Sequence, residues 1–500
     1  MAIDTRTDKP RLRYPGAHPF SDDSLSRILF HGRDPESVSL ANAIVANRLV
    51  LLFARSGLGK TSLLNAGVAE PLRSKGFLPL TVRLNNTDAG ALESMYRGIE
   101  AACIRQSVEY KRGNTSSLWH FFKTAEFWNQ DRLLEPVVVL DQFEELFTLQ
   151  SESHRSQFLD QLSYLVRGIR PTGPSDGGTS GTQEATLNDS PPCAKVVISL
   201  REDFLACLEE MSNRIPEILE HRFRLLPLSR EAAVKALLEP AAIKDAQLST
   251  QPFEIDPQLT ETVLDFLTRR KDGDAPRSSD SVEPFQLQLI CQHLEEVGSK
   301  KQHDQTFGIN RITLEDLGGK SKLQHILKDF YRRQIKALPF FRRSGVKRLL
   351  SESLISSSGR RLVMEESEIN TLLGVRPVTL QALVDGRLLR VEQSVNGKYY
   401  ELSHDSLIQT VLHSRRWPLM GKAIGKLALV GLLIAWVIGT FILEGTRLPE
   451  RLIQIERNIV GAAGYAIGYG LGACLFVWFV VRVVFKKARE VKALWGRLRV

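Results

Sequence analysis

The chain has 500 residues, 43% hydrophobic and 25% charged, proportions that leave ample material for buried cores and set a soft expectation of about three domains. Its formal net charge of +9 first suggests nucleic acid or an anionic surface, yet six of those nine charges fall in the last nineteen residues and the rest is close to balanced. Five scattered cysteines (Cys103, Cys193, Cys207, Cys291, Cys474) in no CxxC spacing argue against a disulfide framework or a zinc site, and MAIDTRTDKP lacks the apolar core of a secretory signal.

Residues 1–10 are expected to be disordered, and 11–36 reads as an irregular lead-in, with Pro15, Gly16 and Pro19, before a short helix and Gly32-Arg33. A helix over about 38–47 delivers the chain to LVLLFARSGLGKTSLLN (49–65). There an apolar, β-type run enters a loop of Ser56, Gly57, Leu58, Gly59 and Lys60, and Thr61 and Ser62 open a helix-forming segment. A strand, a glycine loop and a helix N-terminus in that order can wrap backbone N–H groups around phosphates, because glycine leaves the approach open and the helix dipole favours the anion. In this reading Lys60 reaches the β- and γ-phosphates and Thr61 holds Mg²⁺ through its hydroxyl. The N–H groups of Thr61 and Ser62 then face the α- and β-phosphates. The full pattern has glycine where Ala54 stands, and the plain alternative is a Gly/Ser turn that carries a lysine.

A strand over 78–84, a helix over 90–108 and an aromatic stretch over 121–128, expected under the sheet, lead to PVVVLDQFEELF. Its apolar run 137–140 suits a parallel strand covered on both faces, with Asp141 at the carboxyl end, where such sheets place their ligands. Asp141 can share the Mg²⁺ with Thr61, and Glu144 or Glu145 can orient and deprotonate an attacking water; an acid pair favoured by a helix dipole is the alternative. Residues 171–192 have almost no apolar side chains and are expected to be disordered. Another buried strand, 195–200, ends at Arg201, which can read a γ-phosphate or else pair with Glu202 or Asp203. A short fifth strand over 223–226 and a helix over 231–238 follow, after which the strand signal stops.

Helices are then expected over 259–270, 285–297 (after Pro284), 323–338 and 344–354, with a polar linker at 271–282. A helix at 378–385 followed by strands 388–393 and 398–402 around Asn396-Gly397 reads as a winged helix. Its helix carries Val378, Leu380, Ala382 and Leu383, which leave little polar face for base edges, so nucleic acid is an unlikely partner despite Arg387 and Arg390. Residues 427–443 and 459–481 are uncharged and long enough to cross a hydrocarbon core, and the basic flanks place both ends in the cytoplasm, as for a multi-pass inner-membrane protein. Small residues at four-residue spacing (Gly431, Ala435, Gly439; Gly464, Gly468, Gly472) can pack the two spans together or drive association between chains. The tail 482–500 would lie on anionic headgroups.

Seven ordered blocks make the chain resemble the STAND class of P-loop NTPases, in particular the novel STAND group: PGAHPF (15–20), FHGRD (30–34), SGLGKTSLLNAGV (56–68), VVVLDQFEELF (137–147), VVISLREDF (196–204), LLPLSREAA (225–233) and ELSHDSLI (401–408). The resemblance implies an α/β P-loop NTPase domain over 11–240, with a parallel sheet of about five strands and helices on both faces. A helical subdomain (241–310), a winged helix (311–415) and the two transmembrane helices follow. It further implies an ATP/ADP switch, closed with ADP and oligomeric with ATP, of low basal turnover. Gly32 and Arg33 would lie near the adenine, Pro284 would contact the base and His404 would sense the β-phosphate, although Asp405 stands where the family commonly has Glu. A membrane-tethered DNA-binding regulator and a continuously cycling membrane ATPase stay open as alternatives.

Overall fold

The computed structural model describes residues 11–414 apart from 85–89, 172–186, 210, 269–280, 305–309, 357–360, 395–396, 404–406, 409 and 413. The expectations for residues 1–10, His404, the Asn396 turn, the two apolar spans and the basic tail therefore lie outside the described residues. Among the described residues, no helix is long and apolar enough to cross a membrane.

The strands, in chain order, are β1 (Leu49–Ala54), β2 (Phe77–Val82), β3 (Glu109–Lys111), β4 (Glu126–Asn129), β5 (Arg132–Leu133), β6 (Glu135–Asp141), β7 (Lys195–Arg201) and β8 (Arg222–Arg224). After them come β9 (Leu228–Ser229), β10 (Glu254–Ile255), β11 (Ser281–Val282), β12 (Arg311–Ile312), β13 (Met364–Glu365), β14 (Leu389–Ser394) and β15 (Gly397–Leu402). Five of them form the central sheet in the order β2-β6-β7-β1-β8, every pairing parallel. Alternation at period two explains its burial on both faces. Leu49, Leu51, Val138, Leu140, Val196 and Ile198 point to one side, onto the helices Gly90–Gln106 and Glu152–Arg167. Val50, Leu52, Val137, Val139 and Val197 point to the other, onto Leu40 and Ile44 of the helix Asp34–Ala46.

β7 lies between β1 and β6, and register fixes what meets at the carboxyl edge: Ala54 is level with Arg201, and Asp141 with Ser199. After β1 the helix Lys60–Ser62 widens into a π-turn, Leu63–Val68, before Ala69–Ser74. The sequence pattern does not distinguish that turn from ordinary helix, because Leu63, Leu64 and Val68 are apolar and buried in either geometry.

The aromatic stretch packs under the sheet as expected, in two elements: Phe121 and Phe122 lie on the helix Leu118–Thr124 and Phe127 on a separate antiparallel sheet, β3-β4-β5, all three buried in one core with Leu51, Val138 and Val196. One expectation is corrected. Strands continue beyond β8, as two-residue pairings β9 with β11 and β10 with β12, too short to leave a periodic signal. Of the stretch expected to be disordered, Asn188 and Ser190 are held by Lys123 Nζ at 2.6 and 2.7 Å.

The helices Arg230–Ala242, Pro257–Thr268, Pro284–Asp304 and Lys320–Ala337 share one continuous core with the C-terminal module, made of the helices Glu366–Leu373 and Pro377–Asp385 and the sheet β13-β15-β14. The lead-in straps across this core: the backbone N–H of Arg13 donates to Glu295 Oε1 (2.9 Å) and its buried guanidinium donates to Thr250 Oγ1 (3.1 Å). Gly32 shows how tightly these parts meet. Its φ is +83°, and a Cβ there would fall 2.2 Å from the carbonyl oxygen of Ala232. Gly32→Ala is therefore expected to destabilise the protein by about 2–4 kcal/mol, read as a lowered Tm.

Candidate functional site

At the carboxyl edge, Gly57 (φ +86°) and Gly59 (φ +91°) take left-handed backbone conformations that let the loop curl back toward the helix starting at Lys60. Lys60 is half-buried, with Nζ 3.4 Å from the carbonyl of Ala54. Burial pulls its ammonium down from the usual lysine range, and Glu144 and Asp141 oppose that pull. The Thr61 hydroxyl donates to Asp141 Oδ2 at 3.0 Å across the intervening strand, and Ser199 Oγ donates to Asp141 Oδ1 at 3.0 Å. A hydroxyl and a carboxylate at the mouth of a phosphate loop are the hard oxygen donors that Mg²⁺ takes alongside phosphate and water, so Thr61 and Asp141 fit the ion.

Gln142 has a φ of +57°, and this turn carries the chain from the strand end into Phe143 and Glu144. Glu144 is 2% exposed and accepts from the backbone N–H of Arg201 (3.3 Å) and from the guanidinium of Arg390 (2.9 Å), which comes from β14. Arg201 in turn reaches Glu401 of β15 at 2.8 Å and Asp203 at 2.8 Å. Glu401 also lies 3.5 Å from Arg361, and Ser56 Oγ is 3.5 Å from the carbonyl of Ser403. The C-terminal module thus touches the glycine loop, the acid after β6 and the arginine at the end of β7.

Glu145 differs from Glu144. Its Oε2 is buried without a hydrogen-bond partner, and burial, reinforced by Glu144 and Asp141 against Arg83 and Arg390, pushes its carboxyl up to about 7. Because the native state holds this proton where an unfolded carboxyl, near 4.5, has lost it, the stabilisation is full below about 4.5 and is lost as pH rises through about 7. Glu145→Gln is accordingly expected to raise stability by about 1–3 kcal/mol at pH 8 and to leave it nearly unchanged at pH 5, in paired thermal melts.

Beside the loop, a cleft runs from Gly59 and Ser62 to Pro284 and Leu287, walled by Phe20 and Leu58. The lead-in is fastened there: Ser62 Oγ accepts from the N–H of Phe20 (3.2 Å), and Asn65 donates to its carbonyl (3.0 Å). Pro284 and Arg33 both line the cleft. The guanidinium of Arg33, however, donates to the carbonyls of Leu58 (3.3 Å) and Leu226 (2.8 Å) and pairs with Glu36, so it braces the phosphate loop. Gly32 faces the helix carrying Ala232 and does not line the cleft. Sequence reasoning passed over Ser199, Arg83 and Glu401. Ser199 alone carried a local signal, a polar residue inside an apolar strand two positions before Arg201.

A parallel five-stranded sheet with this loop at one strand end and an acid at another defines a P-loop NTPase, a nucleotide-binding protein. The family model of the novel STAND NTPase 1 matches residues 14–424, and the chain belongs to that family. No curated protein matches the chain significantly. Solved structures that it resembles include the Aeropyrum pernix ORC2 protein in its ADPNP-ADP complexes (14% identity, 78% of this chain and 95% of that one, TM-score 0.38). Others are the ORC1 protein of the same organism in complex with DNA (15%, 77% and 93%, TM-score 0.36) and a Walker-type ATPase of Pyrococcus abyssi (13%, 79% and 98%, TM-score 0.36).

Proposed function

We propose that the chain is a membrane-anchored signalling ATPase, a switch that ADP holds closed and ATP releases for assembly into oligomers. One observation carries this reading: the C-terminal module, which we take as a winged helix, places Arg390 on Glu144 and Glu401 on Arg201. While those pairs last, the acid that would activate water and the arginine that would read a γ-phosphate are both engaged, so turnover is low. The phosphates bind residues 56–62, Mg²⁺ binds Thr61 and Asp141, and the base enters the cleft lined by Pro284. The uncharged stretches 427–443 and 459–481 support a transmembrane hairpin as anchor and output, with both termini cytoplasmic. Perturbing the bilayer in a defence response is one outcome such a device can serve. Because Arg390 is only 18% exposed and engaged by Glu144, it is poorly placed for the DNA-binding alternative.

The test is to purify the full chain in detergent, identify the nucleotide it carries, and follow particle size on exchange into Mg·ATP. Retained ADP and growth in size with ATP are expected. A chain that purifies free of nucleotide and keeps its size in ATP would overturn the reading.

A further inference from the structure

The cleft holds two polar atoms that its apolar walls leave unsatisfied: His31 Nε2 and Gln288 Oε1 are buried and have no hydrogen-bond partner. Such atoms are uncommon in native proteins, and each costs free energy until a ligand or water meets it. Their chemistry is matched. His31 Nδ1 lies 2.6 Å from Glu239 Oε2 and donates its N–H to that carboxylate, and in this tautomer Nε2 presents a lone pair. Gln288 offers its carbonyl oxygen. Both atoms are acceptors, and a nucleotide whose phosphates sit on the adjoining loop sends its base into this cleft.

We infer that His31 and Gln288 read the exocyclic amino group of adenine and so make the site selective for adenine over guanine nucleotides. This rests on the reading of residues 56–62 as the phosphate site. The adenine 6-amino group has two N–H bonds, one for each acceptor, whereas guanine and hypoxanthine carry a carbonyl at the same ring position. That carbonyl would face two lone pairs and leave both protein atoms unmet. Sites built to hydrogen-bond a ligand group reject the analogue lacking it far more strongly than apolar pockets reject a change in size.

The probes are ADP, GDP and inosine diphosphate, whose base carries a 6-carbonyl and an N1–H in place of the 6-amino group and N1 lone pair of adenine, each competed against a fluorescent ADP analogue on the full chain in detergent. Wild type is expected to prefer ADP over inosine diphosphate by about 100-fold. Gln288→Leu and His31→Phe should each cut that preference to about tenfold or less, through weaker ADP binding, with inosine diphosphate affinity nearly unchanged. Equal affinity of wild type for ADP and inosine diphosphate overturns the inference even if both variants fail to fold. Lys60→Ala separates the two readings. If it weakens every nucleotide while wild type shows no preference, the phosphate site stands and base recognition falls. If it weakens none, the phosphate reading falls and the inference with it.

Discussion

Lys60→Ala is expected to lower affinity for ADP and ATP by about 30- to 1000-fold, from about 2–4 kcal/mol of lost charge-assisted hydrogen bonding. Burial has already taken part of the ammonium's hydration, and Glu144, Asp141 and the Ala54 carbonyl compensate it among the described residues. A polyphosphate brings several negative charges to a cation that is already desolvated and positioned, so little is lost on binding. Alanine removes that cation and leaves Glu144 and Asp141 facing the phosphates without it. At a ligand concentration about 100 times the wild-type Kd, the wild-type unit gains about 2.7 kcal/mol of stability, whereas the variant gains little. Titration calorimetry and ligand-dependent melts measure both. Wild-type affinity in the variant would mean that phosphates bind elsewhere.

The parallel sheet was legible because β1, β6 and β7 are nearly unbroken apolar runs, and strands covered on both faces read that way, whereas the order of its strands was not. The glycine loop was legible because Gly57 and Gly59 serve a backbone need that no other residue meets as cheaply. Contacts between distant parts of the chain were not. Arg390 stands 246 positions from Glu144, and in sequence it is simply a basic residue on a hairpin with nothing beside it to name a partner. Arg33 shows the same limit. Its place in FHGRD suggested a position near the adenine, and it does line the cleft, but that its guanidinium is held by two distant carbonyls and Glu36 could not be read from the block. Gln288 has no motif signal, and His31, although it stands in FHGRD, took no role from that block; their unsatisfied atoms in a shared cleft single them out.

Arg390→Ala is expected to raise ATP turnover and ATP-dependent assembly by at least about tenfold, because it removes a contact made only while the C-terminal module lies on the site. The pair is well sheltered, with Glu144 at 2% and Arg390 at 18% exposure, so breaking it from one side leaves a carboxylate short of its partner. Loss of one member of a buried pair typically costs about 3–5 kcal/mol, and here the Arg201 N–H and the nearby Lys60 still support Glu144, which argues for the lower end or below. Even 2 kcal/mol, confined to the closed form, shifts the balance of states about 30-fold. Arg387→Ala is the matched control. Arg387 lies on the same module, is exposed, and donates to His18 at 3.4 Å, so its loss should move neither readout by more than about twofold. A cycle with Glu144→Gln separates release from simple loss of charge: once Glu144 is neutral, Arg390→Ala should add little further assembly. If Arg390→Ala stays folded and leaves both turnover and assembly at wild-type values, the module does not restrain the site through this pair.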